Sequence, residues 1–314
     1  MGIFGTVFGC IVILLASVSI NGLILLVKVE FVILCIMDVL TKKLIKMKKF
    51  ISLTLLVLFM LSCSTVPITG RQRLNLVSDA EILPASFAQY EGFLKENKLS
   101  NDAKMTNEIQ TVGKNISQAV DKFMRANGMV SEANAYRWEF NLIEDKAVNA
   151  WCMPGGKVVF YTGILPITQN RDGIAAVMGH EVAHAFAKHG QERMSTGTLL
   201  ELGGAAVALG TANKDPKTKQ IWNSAFGLGA QYGIALPFSR THETEADKLG
   251  LVFMTMAGYN PQEAINVWIR MSQMSTGGAP PEFLSTHPSN ETRIKNLKDY
   301  LPTAITEAKK YNAQ

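Results

Sequence analysis

The sequence predicts a mostly helical α+β domain with a small antiparallel sheet, and three stretches predict it. Residues 102–127 carry an apolar stripe at helical period: Met105, Ile109, Val112, Ile116, Ala119, Val120 and Phe123. Residues 136–143 instead alternate, with Tyr136, Trp138, Phe140 and Leu142 apolar and Arg137, Glu139 and Asn141 between them, the mark of a half-buried strand. Residues 170–190 return to helical spacing, with Ile174, Val177 and Met178 on one stripe and alanines at 175, 176, 183, 185 and 187. One such domain fills residues 81–310 of the 314.

Ahead of it the composition differs. Residues 1–62 hold six lysines, no arginine and two acids, which is a net +4 of the whole chain's +5. The basic balance therefore belongs to the leading segment, and nothing in it argues for nucleic acid as a partner. Residues 3–27 are long and apolar enough to span a bilayer, and residues 31–40 continue that character. A cationic patch at 42–49, an apolar core at 50–61 and Ser62-Cys63 then make a secretory signal. The cysteine at the junction makes it a lipoprotein signal over 47–62, with Cys63 acylated, although Met60 stands where such signals usually carry leucine. A complete signal begins at Met47, so residues 1–46 are either an untranslated extension or an N-terminal membrane anchor. Together these features imply a cell-envelope lipoprotein, anchored by lipid and facing the periplasm from the outer membrane. Residues 63–80, rich in Pro, Gly, Thr and Ser at their start, are expected to be a tether. Cys10, Cys35 and Cys63 all lie in these segments, which leaves Cys152 without a disulfide partner inside the domain.

Within the domain, helices are expected at about 84–96 and 102–127, the strand at 136–143, and a hairpin at 147–162 turning at Pro154-Gly155-Gly156. The next helix carries the chemistry. Gly179 to Gly190 contains His180-Glu181-Val182-Ala183-His184, so the two histidines, four apart, share one helical face. Neutral imidazoles there can converge on one zinc ion, with Glu181 beside them to act on a metal-bound water. Asn170 or Asp172 can cap the start, and Lys188, His189 and Gly190 suit a C-terminus.

A third ligand is needed, and Ser239 to Gly250 offers Glu243, Glu245 and Asp247. With this second motif the chain resembles the zinc metallopeptidases that include the HtpX heat-shock proteases and the CAAX prenyl endopeptidases, most closely their small periplasmic lipoprotein members. The resemblance implies a zincin-like metallopeptidase fold. It also implies one Zn2+ per chain on His180, His184 and Glu243, Glu181 as general base, and Asp247 behind a ligand histidine. Glu243 and Glu245, two apart on a helix, stand about 200° around its axis and cannot share a face, whereas Asp247 falls on the Glu243 side. By the same resemblance Asn149 and Ala150 border the cleft and can pair with an extended substrate. His287, in a Ser-Thr-His-Pro segment, approaches the metal as a latch on its open position or as a donor to the oxyanion, unless it only packs against the last helix.

Beyond the metal motif, apolar stretches at 199–210 and 226–237 flank a charged break at 214–217. They are read as packed helices or a cover over the cleft, with a membrane-embedded hairpin as the alternative. Helices at 241–256, 261–274 and 290–300 complete the domain. The implied activity is hydrolysis of internal peptide bonds in unfolded or misassembled envelope proteins. The competing expectation is a zinc-stabilised chaperone that binds them without cutting, for which Glu181 would have no use.

Overall fold

The computed structural model describes residues 33–34, 36–47, 50, 63–228, 230–231, 236–274, 283, 285, 287 and 291–312. The chain divides into two compact units, Met1–Cys63 and Ser64–Gln314. In the first, residues 36–47 are helical, with Lys42 bonded to Asp38 one turn earlier at 2.6 Å. The apolar runs 3–27 and 51–61 lie outside the described residues. Among the described residues no helix is long and apolar enough to cross a membrane.

From the unit boundary onward runs a two-stranded ribbon, β1 (Cys63–Thr65) and β2 (Gln72–Leu74), in the segment expected to be a tether. Helix α1 (Asp79–Glu96) starts earlier than Pro84 suggested, because Ser78 and Glu81 form a capping box ahead of it. Helix α2 (Ala103–Ala126) begins where the Asp102 side chain accepts the Met105 N–H, and its apolar stripe is buried from Ile109 to Phe123, with Met105 half-buried at its start. A short helix, α3 (Val130–Ala135), then leads to β3 (Glu139–Ile143).

The hairpin forms as expected from β4 (Ala150–Met153) and β5 (Lys157–Tyr161). Its turn needs glycine: Gly155 and Gly156 have φ of +84° and +85°, and Phe87 and Trp138 fill the space a Cβ would take. The strand order is β3-β5-β4, with β3 parallel to β5 and β4 antiparallel to it, so the small sheet is mixed. Lys157 and Glu139, paired in that parallel register, also form an ion pair at 2.8 Å. Strand β4 lies at the sheet edge and packs on the helix that follows.

That helix, α4 (Arg171–Phe186), is capped by Asn170, whose side chain accepts the Gly173 N–H, and every residue from Gly173 to Phe186 is buried. A helix apolar on all sides belongs inside a core, and its alanines let neighbours approach closely. Lys188 takes the left-handed conformation (φ 57°) in place of a glycine, and α5 (His189–Gly210) starts at once. Across a polar break lies α6 (Pro216–Leu228), which buries no residue. Leu202, Leu209, Ile221, Trp222 and Leu228 of this pair are exposed.

Helix α7 (Leu236–Met256) packs most extensively on α4 and on α9 (Glu291–Asn312), with α8 (Gln262–Met274) alongside. Helix α9 continues past Pro302, held by buried Ala304 and Ala308 and by Tyr311, which packs on Phe123 at 4.8 Å.

Candidate metal centre

Two glycines set the geometry. A Cβ on Gly250 of α7 would lie 2.9 Å from the His180 backbone nitrogen, and one on Gly179 of α4 would lie 2.9 Å from the Gly250 carbonyl oxygen. The two helices therefore cross backbone to backbone at that point. Asp247 and Glu243 are one and two turns before Gly250 on α7, so the close crossing delivers both carboxylates to His180 and His184 on α4.

His180 Nε2 is 3.1 Å from His184 Nε2. Glu243 reaches both, Oε2 to His180 Nε2 at 3.4 Å and Oε1 to His184 Nε2 at 3.3 Å. His287 Nδ1 stands 2.9 Å from Glu243 Oε2 and 3.2 Å from His180 Nε2. One ligand atom from each of the four residues falls within 4.8 Å of the others. Donor atoms at zinc bonding distance around a tetrahedral ion stand about 3.4 Å apart, and these five contacts span 2.9–3.4 Å. Facing imidazole nitrogens and a carboxylate so close fit a shared divalent cation.

Burial and hydrogen bonding compete over the protonation of the group. Burial lowers the His184 imidazole to about 3, which keeps it neutral and able to offer a lone pair. Burial works the same way on His180, but hydrogen bonds to Asp247 and Glu243 outweigh it and raise that ring to about 9. The Glu243 carboxyl is held well below the usual range: burial opposes this, and hydrogen bonds with His180, His184 and His287 prevail.

Glu181, on the same helix, is 3 % exposed. Its Oε1 is buried with no hydrogen-bond partner among the described residues and lies 3.6 Å from His287 Nε2. Burial raises this carboxyl, which makes it a better proton acceptor than a carboxylate in water. Such an orphaned oxygen is costly unless the site uses it.

Asp247 lies behind His180, Oδ1 to Nδ1 at 2.9 Å, and Arg293 of α9 holds it with Nε on Oδ2 at 2.8 Å and Nη2 on Oδ1 at 2.7 Å. Arg293 also reaches Glu243 at 3.1 Å and sits 3.3 Å over the Trp268 ring. Sequence reasoning missed this arginine; its place in α9 gave no sign of a partner some 46 residues earlier. His189 and Arg71 were also missed as parts of the site, and Glu245 was weighed only as a rival ligand to Glu243. For His189 a sign existed: it follows the second ligand by five residues in a chain with five histidines.

The sequence-predicted substrate residues lie at one end of the edge strand. Ala150 is buried in β4, and its N–H is taken by the Asn149 side chain at 2.9 Å. The Asn149 carbonyl accepts the Tyr161 N–H, so neither residue offers that group outward. Just upstream, the Val148 carbonyl accepts the N–H of Phe283, whose ring stacks on His287 at 4.6 Å. Phe283 and His287 thus link the strand end to the metal site. Cys63 begins β1, and its side chain lies outside the described residues. Cys152 packs against the core as a small hydrophobe.

Residues 111–301 match peptidase family M48. The chain is similar to the mitochondrial metalloendopeptidase OMA1 of Schizosaccharomyces pombe, 35% identical over 241 residues that are 76% of this chain and 66% of the relative. It is also similar to the mitochondrial metalloendopeptidase OMA1 of Homo sapiens, 27% identical over 254 residues, 76% of this chain and 46% of the relative. The beta-barrel assembly-enhancing protease of Escherichia coli is 27% identical over 208 residues, 64% of this chain and 40% of that protein. The chain spans about two-thirds of the length of its yeast relatives and half or less of the others.

These similarities correct the expected location. Relatives matched over three-quarters of the chain are mitochondrial enzymes, which points away from a periplasm-facing lipoprotein of a bacterial outer membrane. A basic patch, an apolar run and a small residue are too general a pattern to fix a compartment. The chain belongs to peptidase family M48 and is a metalloendopeptidase.

Proposed function

We propose that this chain holds one Zn2+ through His180 Nε2, His184 Nε2 and the Glu243 carboxylate, and hydrolyses internal peptide bonds of unfolded or misassembled proteins. A zinc ion, when bound, supplies acidification of a coordinated water and polarisation of the scissile carbonyl. Glu181 Oε1 takes the proton from the attacking water and passes it to the leaving amine as the C–N bond breaks. Asp247 accepts the outer N–H of His180 and keeps its other nitrogen turned to the site. The observation that carries this is the convergence of His180, His184 and Glu243 beside a buried Glu181 oxygen that has no other partner among the described residues. A zinc-stabilised chaperone would need the ligands but not that carboxylate.

His287 acts as a latch. Its Nδ1 stands among the ligand atoms, closest to Glu243, where the attacking water would otherwise enter, and the hydrogen bond from Phe283 N–H to the Val148 carbonyl fastens its segment. An extended substrate entering beside β4 displaces that segment and frees the site, which favours mobile, unfolded chains over folded ones. Asn149 and Ala150 contribute backbone pairing once the Asn149 side chain releases the Ala150 N–H. The substrate class also draws support from the name of the Escherichia coli relative, an assembly-enhancing protease. The reading is tested by cleavage of casein: hydrolysis is expected to stop with a zinc chelator and return with stoichiometric zinc. Cleavage that persists in the chelator would overturn it.

A further inference from the structure

The second ligand histidine has support of a different kind from the first. His184 turns Nε2 towards His180 and Glu243, and its other nitrogen, Nδ1, lies 2.8 Å from Nδ1 of His189. The His189 Nε2 is 2.9 Å from Glu245 Oε2. His189 is 0 % exposed and Glu245 3 %, so neither contact is shared with bulk water. Glu245 is held in turn by Arg71, Nε at 2.8 Å and Nη2 at 2.6 Å from the same Oε2, and by the Thr69 hydroxyl on Oε1. Arg71 also clamps Glu192 with both terminal nitrogens, at 2.8 and 2.7 Å. The His242 ring lies flat on His189, centroids 4.0 Å apart and planes within 14°, and reaches Glu192 Oε2 at 3.0 Å.

We propose that His189, backed by Glu245 and Arg71, is a positioning residue for the metal centre that fixes the tautomer and ring orientation of His184. This rests on His184 Nε2 being a ligand atom. One proton arrangement then satisfies every contact. With the Nε2 lone pair given to the site, His184 carries its proton on Nδ1 and donates it to His189 Nδ1. His189 must therefore carry its own proton on Nε2 and donate it to the Glu245 carboxylate. Both ligand histidines thus end on a carboxylate pinned by an arginine. His180 meets Asp247 and Arg293 directly, whereas His184 meets Glu245 and Arg71 through one intervening ring.

The arrangement accounts for two features at once. Glu245 lies on the opposite side of α7 from Glu243 because it serves the far side of His184. The loop between β1 and β2 supplies Arg71 and Thr69, which makes the segment before α1 part of the centre. Support of this kind tunes metal affinity by about 10–100-fold.

The test measures zinc affinity of the full chain by competition with a chromogenic chelator, together with the visible spectrum of the Co2+-substituted protein. His189→Phe, which fills the space without a hydrogen bond, is expected to bind zinc about 10–100-fold more weakly and to shift the Co2+ bands. His189→Gln can accept from His184 and donate to Glu245, and is expected to recover most of that loss. Glu192→Gln disturbs the same buried cluster outside the His184–His189–Glu245 path, and should leave zinc affinity within a few-fold of the parent. Parental affinity and spectrum in a folded His189→Phe would overturn the proposal, as would equal losses in His189→Phe and Glu192→Gln. Retention of zinc by His184→Ala would instead overturn the ligand assignment beneath it. If His189→Phe does not fold, nitrogen NMR of 15N-histidine-labelled parent decides. A proton on His184 Nδ1 and on His189 Nε2 supports the relay, and the opposite tautomer of either ring refutes it.

Discussion

Gly250→Ala tests whether the helix crossing sets the metal centre. The added carbon would stand 2.9 Å from His180 N, 3.0 Å from Gly179 C and 3.1 Å from His180 Cα. All three are backbone atoms in the buried part of α4, so no side chain can swing aside. Ordinary contact begins near 3.4 Å, and the two helices must part by about 0.5 Å to restore it. Overpacking of this kind costs about 1–3 kcal/mol, and each kcal/mol lowers Tm by about 2–4 °C in a domain of this size. The same displacement carries Glu243 away from both histidines. Since a 1 Å misplacement can cost about a hundredfold in rate, about 0.5 Å should cost roughly tenfold in kcat/KM. Thermal denaturation and hydrolysis of a quenched fluorescent peptide measure the two effects. Gly197→Ala is the control, because nothing lies within 4 Å of a Cβ there, and it should gain about 0.5–1 kcal/mol. Parental Tm and kcat/KM in Gly250→Ala would refute the claim that this crossing positions the ligands.

Three further outcomes are expected. Glu243→Ala should lose zinc altogether, while Glu245→Ala should retain it at weakened affinity, as measured by metal analysis after dialysis; the reverse order would exchange their roles. His287→Ala should raise basal casein turnover if the histidine is a latch, and a fall of about a hundredfold in kcat would make it a transition-state donor instead. The Glu192 carboxyl, which burial would raise, is brought from 4.5 down to about 2 by hydrogen bonds from His242 and Arg71. A depressed carboxyl stabilises the fold above its unfolded pKa, so this contribution is complete above about pH 4.5 and disappears as pH falls towards about 2. Denaturant titrations should show the gap between parent and Glu192→Gln closing over that window, and a constant gap would contradict the sign.

The chemistry was more legible than its supports. The four-residue spacings of His180 with His184 and of Glu243 with Asp247 are helical facts, and each pair does share a face. Alternation marked β3 as a strand, yet period two names a face and not a partner, so its parallel pairing with β5 was out of reach. Pro84 and Pro302 read as boundaries in the sequence, whereas a capping box before one and buried alanines after the other extend both helices. Arg293 and Arg71 reach the site from elements remote in sequence. Their signal is tertiary, since an arginine in a polar stretch reads as solvated until the fold buries it against a carboxylate. The location failed for another reason: a leading segment of lysines and apolar residues suits more than one membrane system.

Zinc content and casein hydrolysis measured together on Glu181→Gln test the central claim most directly. Glutamine keeps the shape of the side chain and cannot take a proton, so zinc should remain at one per chain while hydrolysis falls by several orders of magnitude. Parental hydrolysis by a zinc-loaded Glu181→Gln would show that Glu181 is not the base, and would contradict the account.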